Sequence, residues 1–226
     1  MSTTDLQIDR HKFLADGEAI PYYGNTVISI MNNENWPIYH LSRRMMKIIK
    51  ESTLSDKIRL LPLESIHMTL IPLIREIDRG TDIWPQSLPT NASFKEIDKI
   101  LRDKVEEVEP YHQIRMKINE VQITGFRLSA QTAAMNQELR NYRDQIALKT
   151  KIVHPGHNHY QFHVSLAYVI KPFSQNDHLM LDKLETEMTK VAKASLDSFV
   201  LAEPKFSIFN DMLSYHPELS ERGNLF

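Results

Sequence analysis

The sequence predicts an α+β fold built from two loosely matching halves. Three observations point there. Segments with strand alternation and segments with helical spacing follow one another along the 226 residues. Two of the strands, 96 positions apart, carry the same His-x-Thr/Ser triplet, at 67–69 and 163–165. No Pro/Gly/Ser-rich linker divides the halves, so they are expected to share one unit over 1–226, with approximate lobes at 22–110 and 111–226.

The elements follow from local pattern. Residues 1 to about 20 read as a polar lead-in, and 21–25 as a turn around Pro21. Positions 26–31 are β-branched and apolar, which predicts a strand, and the Asn-rich run 32–35 breaks it. Pro37 suits a first helical turn, and Ile38, Leu41, Met45, Ile48 and Ile49 follow at helical spacing. A second strand is expected over 66–73. Gly80, Pro85 and Pro89 make 75–92 a loop. Phe94, Ile97, Leu101, Val105 and Val108 outline the next helix, which stops before Pro110. Ile114, Met116 and Ile118 alternate as a strand, Gly125 marks a turn, and Phe126 with Leu128 suggests a short strand. Met135, Leu139, Tyr142 and Ile146 give a third helix. A histidine-rich loop at 154–159 leads into a strand over 161–170. Ser174 to Asp177 resembles a capping box and opens a helix read from Leu181, Leu184, Met188 and Val191. Phe206, Ile208 and Phe209 suggest a last strand.

Composition narrows the function. Hydrophobic residues at 42% and charged residues at 25% suit a folded domain with its own core. The absence of cysteine removes disulfides, thiolate catalysis and thiolate metal sites, and suits a reducing compartment. A net charge of −2 argues against duplex DNA as a partner, while a small nucleotide or an RNA 3′ end stays compatible. No apolar run reaches bilayer length, so no membrane partner is expected, and the polar first five residues point to the cytoplasm.

The triplet alone says little, because ten histidines should yield roughly one such match by composition. This chain has three. His40-Leu41-Ser42 lies in an expected helix, where positions two apart do not share a face, and is the coincidental match. The other two lie in strands and both continue with Leu. Alternation puts His67 and Thr69 on one face and Ile66, Met68 and Leu70 on the other. It likewise puts His163, Ser165 and Ala167 opposite Phe162, Val164, Leu166 and Tyr168, which assigns Tyr168 to the core.

On His67-Met68-Thr69-Leu70 and His163-Val164-Ser165-Leu166 the chain resembles the 2H phosphoesterase superfamily, named for two His-x-Thr/Ser motifs on strands of a duplicated fold. The resemblance implies two lobes whose antiparallel sheets present the motif strands to a central cleft, with helices outside. It also implies action on 2′,3′-cyclic phosphates, RNA 3′ ends or related phosphodiesters, with no metal or other cofactor. Ser165 stands where Thr is commoner, and the motif separation suggests an insertion within 75–92. The lead-in Gly24-Asn25-Thr26-Val27-Ile28 resembles a less characterised branch.

The chemistry agrees with the resemblance. Cleaving a phosphodiester requires one oxygen to lose a proton and another to gain one, and histidine holds both forms near neutrality. His67 and His163 are the candidate acid and base, in roles left open between them. Thr69 and Ser165 are the candidate donors to phosphate oxygens. Further candidates for substrate contact are Asn25 at the start of the first strand, Arg127 as a phosphate ligand, His159 if the strand starts early enough to share the face of His163, and Tyr23 with Tyr22 as base-stacking groups. The plain alternatives are a turn cap for Asn25, a surface arginine and a solvated loop. Two rival functions remain: a metal-dependent hydrolase using the histidines of 154–163, and a module that binds a nucleotide or RNA end without turnover.

Overall fold

The structure, a computed structural model, describes residues 7–32 and 35–222. The polar Met1 to Asp5 start and the middle of the Asn-rich break lie outside the described residues. Nine strands are seen among the described residues. They are β1 (Gly24–Ile30), β2 (Ile58–Leu60), β3 (His67–Arg75), β4 (Arg115–Gln122), β5 (Gly125–Ala130), β6 (His163–Ser165), β7 (Ala167–Val169), β8 (Phe199–Val200) and β9 (Lys205–Phe209). Four α-helices accompany them: α1 (Trp36–Glu51), α2 (Phe94–Glu106), α3 (Ala133–Thr150) and α4 (Gln175–Ser195).

The helices form where capping and periodicity agree. In α1, Pro37 occupies the first turn, and Ile38, Leu41, Met45 and Ile49 are buried at spacings of three and four. Each such side chain stabilises the fold by about 1.5–3 kcal/mol on burial. Ser93 and Glu96 close a capping box on α2, and Ser174 and Asp177 close another on α4. Asp177 also binds Lys57 at 2.7 Å, which ties the start of α4 to the segment before β2. Thr132 caps α3 by accepting from the Met135 amide.

Seven strands make one curled antiparallel sheet in the order β8-β4-β5-β6-β3-β1-β9, and β2 pairs with β7 in a small second sheet. The later-half strands β8, β4, β5 and β6 therefore meet the earlier half where β6 pairs with β3, while β9, also from the later half, crosses over to pair with β1 at the far edge. α3 packs against β3 and β5, α2 against α3, and α4 against β4 and α1. The motif strands are thus neighbours at the centre of the sheet, and the cleft lies along one face of it.

Three expectations need correction. The lead-in is not polar throughout: Phe13 is 1% exposed, bridges to Ala19 and packs on the Tyr168 ring at 5.1 Å. The expected turn over 21–25 is half strand, because Gly24 and Asn25 already pair with Phe209 and Ile208 of β9. The expected strand over 161–170 is broken at Leu166. There the chain leaves the large sheet and joins β2, with the Leu61 amide donating to the Leu166 carbonyl. Leu166 and Ala167 are both buried, so the alternation slips by one, and Tyr168 turns to the same side as His163 and Ser165. Tyr168 is a cleft residue.

Candidate active site

The antiparallel pairing of Met68 with Val164 sets the geometry of the site. In that register His67 stands opposite Ser165, and Thr69 opposite His163. Met68 and Val164, at 0% and 1% exposed, point into the core, so the four motif side chains share the other face. They form a rectangle with an imidazole at each end of one diagonal. Directly opposed β-carbons lie roughly 4.5–5.5 Å apart and diagonal ones about 7–8 Å, a span that a phosphate group fills. All four line a cleft of about 190 Å³.

Both rings are held by the same device. His67 Nδ1 lies 2.7 Å from the Ser65 carbonyl oxygen, and His163 Nδ1 lies 3.0 Å from that of Gln161. Each acceptor is two residues upstream of its histidine. A carbonyl only accepts, so each Nδ1 carries the hydrogen, and the neutral ring keeps its lone pair on Nε2. Burial pushes His67 down to about 4; the bond to Ser65 opposes this and the charge of His163 adds to it. His163 is more open to solvent, and partial desolvation in the cleft still lowers it, against the bond to Gln161, with Lys12 and Arg127 contributing in the same downward direction. Neither ring is held as a cation in the free protein.

The walls come from distant parts of the chain. Tyr215, after β9, packs its ring 4.0 Å from that of His67. Tyr160 lies 6.1 Å from the His163 ring and lines the cleft with Thr69. Burial raises Tyr160 to about 12 and Tyr215 well above its usual value, so both phenols stay protonated as potential donors. Lys12 enters from the lead-in, 5.0 Å over the Tyr168 ring, with Asp9 at 3.0 Å. Arg75, at the end of β3, donates to the Tyr22 hydroxyl at 2.9 Å and is clamped by Asp78. Phe209 and Met212 complete the apolar side. Cations and aromatic rings together suit a phosphate attached to a planar base.

Behind the cleft lies Arg143, 1% exposed and with no carboxylate at ion-pair distance among the described residues. Its guanidinium donates to the Leu70 and His157 carbonyls and stacks 4.2 Å from the Tyr160 ring. Burial pulls it down to about 10, which leaves it a cation at neutral pH.

The remaining candidates fall in different places. Asn25 touches the cleft, yet its amide donates to Asp98 at 2.9 Å and accepts from the Ile74 amide at 3.1 Å, so its polar atoms are engaged in tying the sheet to α2. Arg127 sits beside His163 in the β5–β6 pairing, and Glu120 approaches its Nε at 3.3 Å, which takes up part of the fork proposed for phosphate. His159 is not on the His163 face, because a 3₁₀ turn over His157–His159 precedes the strand, which begins only at His163. Tyr22, rather than Tyr23, lines the cleft: β1 begins at Gly24 and Tyr22 turns in to meet Arg75.

The histidine-rich loop disperses its side chains. His154 Nε2 meets the Leu73 carbonyl at 2.5 Å, and His157 Nε2 meets Asp144 at 2.8 Å. Among the described residues no group of three or more His, Asp or Glu side chains is arranged to hold a metal. None of their helices is long and apolar enough to cross a membrane.

Lys12, Arg75, Tyr160 and Tyr215 carry no motif, and sequence reasoning missed them. A usable signal existed for one: the adjacent apolar pair Phe13-Leu14 interrupts a mostly polar lead-in, which hints that its neighbours are anchored.

Comparison with known proteins agrees with this architecture. A family model described as 2H-phosphodiest, a domain of unknown function (DUF1868), matches residues 12–127. "Uncharacterized protein 127L" of Invertebrate iridescent virus 6 is 21% identical over 226 residues, covering 92% of this chain and 94% of its own. The crystal structure of the conserved protein of unknown function ATU0111 from Agrobacterium tumefaciens str. C58 is 24% identical. It covers 95% of this chain and 97% of its own with a TM-score of 0.81, and has the same fold. A more distant likeness is TT0787 of Thermus thermophilus, 12% identical over 82% of this chain and 86% of its own, with a TM-score of 0.41.

Proposed function

The chain belongs to the 2H phosphodiesterase family, within the 2H phosphoesterase superfamily, and on that premise we propose that it opens a nucleotide phosphodiester, of the 2′,3′-cyclic or RNA-end type, by acid–base catalysis at His67 and His163. The observation that carries the reading is the matched tethering of the two rings. Each Nδ1 is bound to a main-chain oxygen, which leaves two Nε2 atoms free to exchange protons across one face.

A neutral imidazole serves at once as a base. Its partner must be protonated to act as an acid, and the incoming phosphate supplies the means, since an anion within about 4–6 Å favours the charged ring. Thr69 and Ser165 donate to the non-bridging oxygens, and Lys12 adds positive potential. Every proton is moved by the protein's own groups.

The test is turnover of a panel of 2′,3′-cyclic nucleotides and short RNA ends in the presence of EDTA. Each positioned proton transfer contributes roughly 10²–10⁴-fold. His67→Ala and His163→Ala are therefore each expected to lose at least a hundredfold while remaining folded. Undiminished turnover in both variants refutes the assignment.

A further inference from the structure

The face that carries the rectangle does not end at His163. A second cavity, of about 370 Å³, adjoins the cleft and shares His163 and Ser165 with it. Its remaining walls include Gln122, Thr124, Arg127 and Gln161. The reason is topological. β6 lies between β3 and β5, and the β5–β6 register puts Arg127 against His163 and Gly125 against Ser165. Across the sheet the face therefore reads His67 and Thr69, then His163 and Ser165, then Arg127. Each step is about 4.8 Å, the spacing of neighbouring strands. His163 stands on the ridge between two basins.

The basins differ in chemistry. The cleft is walled by Tyr22, Tyr160, Tyr168, Phe209 and Tyr215, which offer ring faces. The second basin offers two carboxamides, a hydroxyl and a guanidinium, and its aromatic residue, Phe126, is 2% exposed. Outside this lining, Glu120 holds Arg127 at 3.3 Å and accepts from Gln122 at 3.0 Å, while the carboxamide oxygens supply acceptors beside the donors. Donors and acceptors interleaved in a groove match a polyhydroxylated group rather than a planar base. A cyclic phosphate on a single nucleoside leaves this groove empty.

We propose, resting on the phosphodiesterase reading above, that the second cavity is the leaving-group subsite. The substrate is then a linear diester with a nucleobase in the aromatic cleft and a second, ribose-like alcohol in the polar groove, and His163 is the acid that protonates the departing oxygen. Water loses a proton to His67 Nε2 and adds to phosphorus. The bond from phosphorus to the groove-side oxygen breaks, and that oxygen takes the proton from His163 Nε2. One water is consumed, and one phosphomonoester and one alcohol form. His67 ends protonated and His163 neutral, and solvent exchange restores the pair.

The decisive experiment compares three substrates with wild type and variants: a dinucleoside monophosphate, a 2′,3′-cyclic nucleotide and a nucleoside p-nitrophenyl phosphodiester. Gln122→Ala and Arg127→Met are expected to raise KM for the dinucleotide at least tenfold more than KM for the cyclic nucleotide. Equal effects on both substrates, or none on either, overturn the subsite. p-Nitrophenolate departs without a proton, so His163→Ala should lose less than tenfold on that ester and at least a hundredfold on the dinucleotide, whereas His67→Ala should lose at least a hundredfold on both. The opposite pattern overturns the role given to His163. If wild type turns over none of the three, the phosphodiesterase reading itself fails, whatever the subsite variants do.

Discussion

The rings of His67 and Tyr215 lie 4.0 Å apart, centroid to centroid, at an angle of 55°. One belongs to the central strand β3, and the other to the segment after the edge strand β9. Tyr215 shields a face of the imidazole from water, and burial is the main cause of the depressed His67 pKa.

Removing that shield should return His67 toward the value of a free histidine. In an NMR titration, His67 of Tyr215→Ala is expected to protonate well above pH 4, and His67 of Tyr215→Phe close to where it does in wild type. A titration unmoved by Tyr215→Ala shows that other groups exclude the water.

The same depression makes stability depend on pH, with a definite sign. The folded ring protonates near 4 and the unfolded one near its ordinary value of 6.5. Between these the unfolded chain binds more protons, so stability is full above about 6.5 and is lost as pH falls toward 4. The loss from His67 is on the order of 3 kcal/mol at most. His163, lowered in the same direction, adds to it. Urea unfolding at pH 7 and pH 4.5 should show the drop, and His67→Asn should reduce it. An equal drop in the variant assigns the effect to other groups.

Arg143 holds Tyr160 in place from behind. Lysine keeps the charge but cannot stack on the ring and donate to the carbonyls of Leu70 and His157 together. Hydrogen bonds from charged donors contribute about 1.5–3 kcal/mol. Arg143→Lys is accordingly expected to cost about 2–4 kcal/mol in urea unfolding. A cost below 1 kcal/mol contradicts this role.

Two glycines with positive φ should behave differently. At Gly125, with φ +145°, an added Cβ overlaps the Val164 carbonyl oxygen, so β5 and β6 must move apart. Gly125→Ala should cost at least about 3 kcal/mol from strain and overlap combined, and should impair the site through β6. At Gly80, with φ +76°, nothing lies within 4 Å of such a Cβ, and Gly80→Ala should cost about 1 kcal/mol. Thermal unfolding of the two variants side by side provides the measurement, and similar losses would argue against the close strand approach at Gly125.

The helices and the motif strands were legible because their signals are local. Capping pairs such as Ser174 with Asp177, and the alternation that places His67 beside Thr69, require no knowledge of the rest of the chain. Tyr168 was misread because alternation holds only while a strand stays in one sheet, and the partner of β7 is β2, more than a hundred residues earlier. Tyr22 and Tyr23 could not be ranked, since a single residue at the mouth of β1 decides which ring faces inward. Lys12 and Tyr215 reach the site through segments whose position depends on long-range packing, which no periodicity reports. The two cavities beside His163 follow from strand order, which pattern alone does not reveal.

The placement of β9 has a consequence for how the protein is made. β1 is shielded on one side by β3 and on the other by a strand that leaves the ribosome some 180 residues later. Until then β1 has a bare edge and His67 lacks its aromatic lid, and the second imidazole, His163, is added only about 40 residues before β9. The first motif strand thus waits through most of synthesis for its partners, and the cleft gains its last wall only when the late segment is translated.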